Sequence, residues 1–320
     1  MAIIRVPRYF TALSIQPVLA CIDQVMLDEP QEIICDAREV RFVDPVGLCL
    51  LVHAMQDART HGQTIRLEGL SSELSSYMAR MDVFQQGGIH FPENFQRHDQ
   101  RHVLAEVQPI SHSRDVDAVA SRLAHAISGN RRRGDNDRDK LVDSLQYLLV
   151  ETLDNSLTHA RKHRHDNSLT YVAAQYYPRN DMVRFAVVDN GCGFLRSLQN
   201  HSGLRDRTNA TAIRLAVEPY VSCNRDVGLQ GFEAHNQGVG LTLCQKLVTA
   251  ANGRILIGSG NQTVDFRKNS MRTIDHAPWL GSFFAAEVKR ARLAEIHRAE
   301  LFREILPQQT GDDTDLVFVD

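Results

Sequence analysis

The chain has 320 residues, 43% of them hydrophobic and 23% charged, with a formal net charge of −3. Such a length suits two domains, each with its own core, and such a charge excludes a global pull towards nucleic acid or anionic lipid. The six cysteines (Cys21, Cys35, Cys49, Cys192, Cys223, Cys244) form no C-x-x-C pair, which argues against a zinc site or a disulfide framework.

In chain order, Ile3–Val6 is a short strand pattern, and MAIIRVPRYF does not read as a signal peptide. No apolar stretch reaches the roughly 18 residues that span a bilayer, so a cytoplasmic protein without a membrane partner is expected. Ile15, Val18, Leu19, Ile22 and Val25 follow helical spacing between Leu13 and Leu27. EIICDA reads as a buried strand, and Pro45 suits the first position of the helix carrying GLCLLVHAMQDA. TIRLEGL is a further strand and SSELSSYMARM a serine-capped helix. This alternation predicts a small α/β unit over 1–88. The polar, aperiodic stretch that follows is a linker, 89–102.

A second unit is expected over 103–291. It opens with the strand HVLAEVQPI, then a helix from Asp115 to Ile127 and a longer one from Asp139 to about Lys162. SLTYVAAQYY and MVRFAVVDNG read as neighbouring strands joined by a turn at Pro178 and Asn180-Asp181. Ser197–Gln237 is long and polar with one helical patch, ATAIRLAV; a helix at Val239–Ala251 and the strands RILIGSG and SFFAAEVKR close the unit. Residues 292–320 form a charged helix and an acidic tail, whose DLVFV core favours docking on a sheet edge.

Four motifs in this unit carry chemistry. Glu151, Asn155 and His159 recur every fourth residue and form a polar stripe on a helix whose other positions are leucine-rich. The stripe reads either as a solvated face or as a metal-and-phosphate face. In the latter, the Asn155 amide oxygen ligates Mg²⁺ and the Glu151 carboxylate activates a water or hydroxyl. Asp189, at the end of VVDNGCGF, reads as a strand-end turn or as the acceptor for the adenine amine, with Gly191 and Gly193 allowing close approach. Gly238 and Gly240 precede a helix whose free N–H groups suit phosphate, although glycines there are common. Ser282, after Gly281, offers a second adenine contact or simply opens a strand.

Taken together, the order E-x-x-x-N, D-x-G-x-G, a long segment, G-x-G and G-S resembles the Bergerat (GHKL) ATP-binding domain of histidine kinases, anti-sigma serine kinases, DNA gyrase, Hsp90 and MutL. The resemblance runs from about Val103 to Arg290. It implies an α/β sandwich with helices on one face of a mixed sheet, and ATP with Mg²⁺ as cofactors. It assigns Asn155 to the metal, Asp189 to adenine, Gly238 and Gly240 to a phosphate lid, and Ser197–Gln237 to the lid itself. His159 falls inside the first motif, where an ATP-site role or a packing role suits it.

The first unit is similar to a STAS domain of anti-sigma factor antagonists, on the strand EIICDA, the D-x-x-G-L of Asp44–Leu48 and a helix ending at M-D-V-F. It departs at Pro45, where regulated antagonists carry a phosphorylatable hydroxyl; docking is therefore expected rather than phospho-switching. The joint resemblance implies an ATP-dependent regulatory protein whose partner is another protein or its own STAS-like module. Three classes stay open: a slow ATPase or switch, a serine/threonine protein kinase, and a non-enzymatic binding module. Both module types often pair, which leaves a homodimer open. The short basic clusters Arg131–Arg133 and Arg161–His165 read as solvated loops, so a nucleic-acid partner is not expected.

Overall fold

The computed structural model describes residues 1–27, 31–93, 95–97, 103–129, 136–160, 168–221 and 238–305. Three parallel strands, β1 (Ala2–Arg5), β3 (Glu32–Asp36) and β5 (Thr64–Glu68), pair in the order β1-β3-β5. The short strands β2 (Tyr9–Phe10) and β4 (Phe42–Val43) pair beside them. Between the strands run α1 (Ile15–Leu27) and α2 (Pro45–Thr60), followed by α3 (Ser72–Arg80) and α4 (Val83–Gly87). Local chemistry explains the helix starts. Asp44 caps α2 by accepting from the Gly47 amide, with Pro45 at the first position, and the Ser71 hydroxyl accepts from the Leu74 amide to cap α3. The short α4, β2 and β4 were not anticipated, because two-to-five-residue elements leave no periodicity to read.

The second region is built on a five-stranded sheet of order β6-β7-β8-β10-β9. Its strands are β6 (Leu104–Ile110), β7 (Thr170–Tyr177), β8 (Met182–Asp189), β9 (Arg254–Arg267) and β10 (Ser270–Lys289). An α/β sandwich is thus present, but the sheet expected to be mixed is antiparallel at all of its pairings among the described residues. The helices are α5 (Val116–Ile127), α6 (Asn136–Ala160), α7 (Gly193–Ser197), α8 (Asn209–Ala216), α9 (Gly240–Ala250), α10 (Arg290–Ala294) and α11 (Arg298–Ile305).

Strand alternation divides the sheet into two apolar faces. Val172, Phe185, Val187, Ile257 and Phe284 pack with α5, α6, α8 and α9 in one core. Tyr171, Ala173, Ala186, Val188 and Phe283 point the other way and join a second core with α1 and α2. The expected single helical face therefore holds for the second region's own helices. Its opposite face is not open to solvent but is covered by the first region. In place of two separate cores, the cluster that holds α1 and α2 spans both regions.

Polar contacts set the register of this docking. The Tyr77 hydroxyl donates to Gln175 Oε1 at 2.7 Å, the Gln16 side chain to the Asp275 carbonyl at 2.8 Å, and Arg80 pairs with Glu106. A register shift between Ala105 and Gln108 in β6 accompanies donation from the Val107 amide to the Met81 carbonyl, 3.1 Å. Each such bond contributes about 1 kcal/mol, so the shared apolar core supplies most of the adhesion.

A buried polar group in that core is His53 on α2, 3% exposed. Burial pushes its imidazole pKa down to about 4, only partly offset by a hydrogen bond to the Val188 carbonyl. The unfolded chain therefore takes up a proton near pH 6.5 that the folded chain refuses, so His53 costs stability as pH falls from about 6.5 to about 4. The loss amounts to about 3 kcal/mol at most. Thermal melts over that window should show a steeper acid loss in the wild type than in His53→Phe; parallel curves would contradict this.

Candidate functional site

The central helix α6 brings the motifs together. Its apolar side, Leu145, Leu148, Leu149 and Leu153, is buried against the sheet and α9. That packing places Glu151 beside the start of α9. The approach is so close that a Cβ on Gly240 would collide with the Glu151 carboxylate. Gly238, just before, has φ +85°, and a Cβ there would lie 2.6 Å from the Val221 carbonyl oxygen. Both motif glycines thus have steric causes, and the residue before α9, Val239, supplies no side-chain cap to its first amide groups. Burial raises the Glu151 pKa, with Asp154 adding to the rise and the Tyr147 hydroxyl opposing it. A carboxylate moved upward from its ordinary range is a better proton acceptor near neutrality.

Asn155 lies one turn further along the same face of α6 and is half-buried. Position 159 is still helical, but the His159 side chain lies outside the described residues.

Ser156, which follows Asn155 on α6, is buried and turns towards Asp189. It helps hold that carboxylate charged without being aligned for a full hydrogen bond. Asp189 closes β8 and is 1% exposed. Its Oδ1 accepts from the Gly191 amide at 2.9 Å and the Ser282 amide at 3.2 Å, and its Oδ2 accepts from the Ser282 hydroxyl at 2.6 Å. Burial nevertheless dominates and pushes its pKa up to about 6. A carboxylate has about four acceptor positions; these three donors fill three, and the Ser156 hydroxyl stands at the fourth without a full hydrogen bond. Gly193 opens α7, and the Phe194 amide beside it donates to Ser259 Oγ at 3.1 Å.

Sequence reading named Gly191 and Ser282 but missed Ser156, Thr170 and Ser259 near Asp189. Strand register sets Thr170, Asp189, Ser282 and Ser259 abreast on β7, β8, β10 and β9, a buried polar row at the edge of an otherwise apolar face. Alternation along β7 could have revealed Thr170; Ser156 and Ser259 carry no local signal. Among the described residues the Thr170 hydroxyl has no hydrogen-bond partner and the Ser156 hydroxyl has no aligned one.

The expected lid over Ser197–Gln237 is corrected in its first half. Ala210, Ala212, Ile213, Leu215 and Ala216 of α8 are buried in the core against β9, because the helical patch there is amphipathic rather than polar. Residues 222–237 lie outside the described residues.

Residues 141–272 match the family model described as histidine kinase-, DNA gyrase B-, and HSP90-like ATPase. The match supports a GHKL-type domain in the C-terminal region. The match takes in α6 from Leu141 onwards, the D-x-G-x-G turn and the whole of α9, and ends before Ser282. No curated protein and no solved structure matches the chain. Within this GHKL-type domain, the structure joins Glu151 to Gly240 and Asp189 to Ser282, with α6 carrying Asn155 between the two clusters.

Proposed function

We propose that the chain is an ATP-binding regulatory protein in which the GHKL-type domain holds a magnesium–adenine nucleotide and residues 1–88 act as a STAS-like docking module. The observation that carries this reading is the buried Asp189 carboxylate at the end of a buried polar row, fixed by three donors, with its fourth acceptor position approached by the Ser156 hydroxyl of α6 without a full hydrogen bond. An adenine amine is a donor of the size and polarity that position accepts, and a guanine carbonyl is not. The donor set fits the rest of the nucleotide. Asn155 offers a hard oxygen for Mg²⁺, and the Gly238–Gly240 turn presents helix-start amides to phosphates. Magnesium, when bound, would offset charge on the phosphate oxygens. Glu151 would take a proton from water or from a protein hydroxyl.

The module reading is supported by the parallel β1-β3-β5 sheet and by Pro45, which is buried and bears no hydroxyl. Docking in cis, on the sheet that carries Asp189, suits coupling of nucleotide state to the surface that the module presents. Among the described residues no helix is long and apolar enough to cross a membrane.

Labelled ATP separates the enzymatic classes. Free phosphate identifies an ATPase and labelled protein a kinase. With either activity, Glu151→Gln should keep nucleotide affinity within about threefold and lower turnover by at least about a hundredfold. Turnover that persists in the variant would remove Glu151 from the proton-acceptor role.

A further inference from the structure

We infer that His53 and Trp279 are positioning residues for Asp189, so that α2 sets the geometry of nucleotide recognition from the far side of the sheet. This rests on the ATP reading above.

Asp189 stands where β8 leaves the sheet and its side chain faces α6. Its backbone carbonyl faces other partners: it accepts from the Trp279 indole N–H at 3.0 Å. The preceding carbonyl, of Val188, lies 3.0 Å from His53 Nε2. A carbonyl only accepts, so His53 must be the tautomer that carries its proton on Nε2. The two rings meet edge to face with centroids 5.5 Å apart, and Tyr171 stands edge-on to His53 at 4.8 Å. Trp279 and Tyr171 are buried with His53 in the core that spans both regions.

Two consecutive peptide groups at the end of β8 are therefore held by side chains from the module-facing side. Those peptide planes fix the direction of the Asp189 Cα–Cβ bond. A histidine is not needed for packing here, since its neighbours on α2 (Leu48, Cys49, Val52, Met55) are apolar and a hydrophobic residue would fill the site. A buried polar ring costs stability unless it is hydrogen-bonded. What the imidazole adds is the donor to Val188. A sheet is one layer thick, so a displacement of these peptides on the α2 side appears directly as a displacement of the carboxylate on the α6 side.

The chain has a single tryptophan, so its one indole N–H resonance reports on the Asp189 carbonyl. In the full chain, that resonance should shift as Mg-ATP saturates the protein. By calorimetry, His53→Phe and Trp279→Phe should each weaken Mg-ATP binding about tenfold while leaving Mg-GTP binding within twofold, so the ATP preference narrows. His53→Gln, which restores a donor at similar reach, should bind Mg-ATP within about threefold of wild type.

An indole resonance that stays still at saturation would overturn the inference. So would Phe variants that keep the wild-type ATP/GTP ratio, whether both affinities are unchanged or both fall together. A wild-type protein that binds no Mg-ATP would instead remove the nucleotide reading itself, and this inference with it.

Discussion

Asn155→Ala is expected to weaken Mg-ATP binding by at least about a hundredfold while the protein stays folded. Deleting the amide removes the hard oxygen assigned to the metal. Asn155 is only half-buried, so no large cavity is opened. Alanine is also the better helix former by up to about 0.7 kcal/mol, so α6 should melt no earlier than in the wild type. This separates loss of the ligand from loss of the fold. Without magnesium, the variant and the wild type should bind ATP alike. Calorimetry with and without a chelator makes the comparison, and equal Mg-ATP affinities in the two proteins would remove Asn155 from the metal.

Asp189→Asn should have a comparable effect by a different route. The substitution keeps the shape but replaces one acceptor oxygen with a donor amine. Both Asp189 oxygens already receive donors, from the Gly191 amide and from the Ser282 amide and hydroxyl. The new amine therefore either faces the Gly191 and Ser282 amides, which can only donate, or makes the Ser282 hydroxyl turn round to accept, so that the hydroxyl's proton loses its carboxylate. Leaving such a buried pair unmatched costs about 1–3 kcal/mol, and the site for the adenine amine is spoiled as well. A loss of ATP affinity on the order of a hundredfold is expected, with GTP binding little changed. There is a pH signature. Burial raises the Asp189 pKa to about 6, so in the wild type the ionised acceptor is lost, and ATP affinity falls, as pH drops through 6. The asparagine variant should lack that component, the nucleotide's own titration being common to both. Identical ATP/GTP ratios and identical pH profiles would dissociate Asp189 from adenine.

Much of the fold was legible because its signals are local. Pro45 after Asp44, Ser71 before its helix and the periodic apolar positions of α1 and α9 marked elements within a residue or two of their observed bounds. The β9–β10 hairpin was not legible in full. RILIGSG and SFFAAEVKR were read as strands, but the intervening NQTVDFRKNSMRTIDHAPWL is polar, contains Pro278 and is half-exposed, so it lacks the alternation of a buried strand. Bulges between Asp275, Trp279 and Ser282 let the proline fit. The motif residues were found because fixed spacing on one helix or beside one turn survives in sequence. Ser156, Thr170, Ser259 and Trp279 were not, since sheet register and helix packing, rather than proximity along the chain, bring them to Asp189. The covering of the sheet's second face by α1 and α2 was hidden for the same reason: an apolar helix face does not say which partner it meets.

A crystal structure of the full chain with magnesium and a slowly hydrolysed ATP analogue tests the central claim most directly. One nucleotide is expected, with its adenine amine on Asp189, its metal on the Asn155 oxygen and its phosphates at the amides that follow Gly238. Nucleotide bound elsewhere, or bound here with Asn155 and Asp189 both turned away from it, would contradict the account.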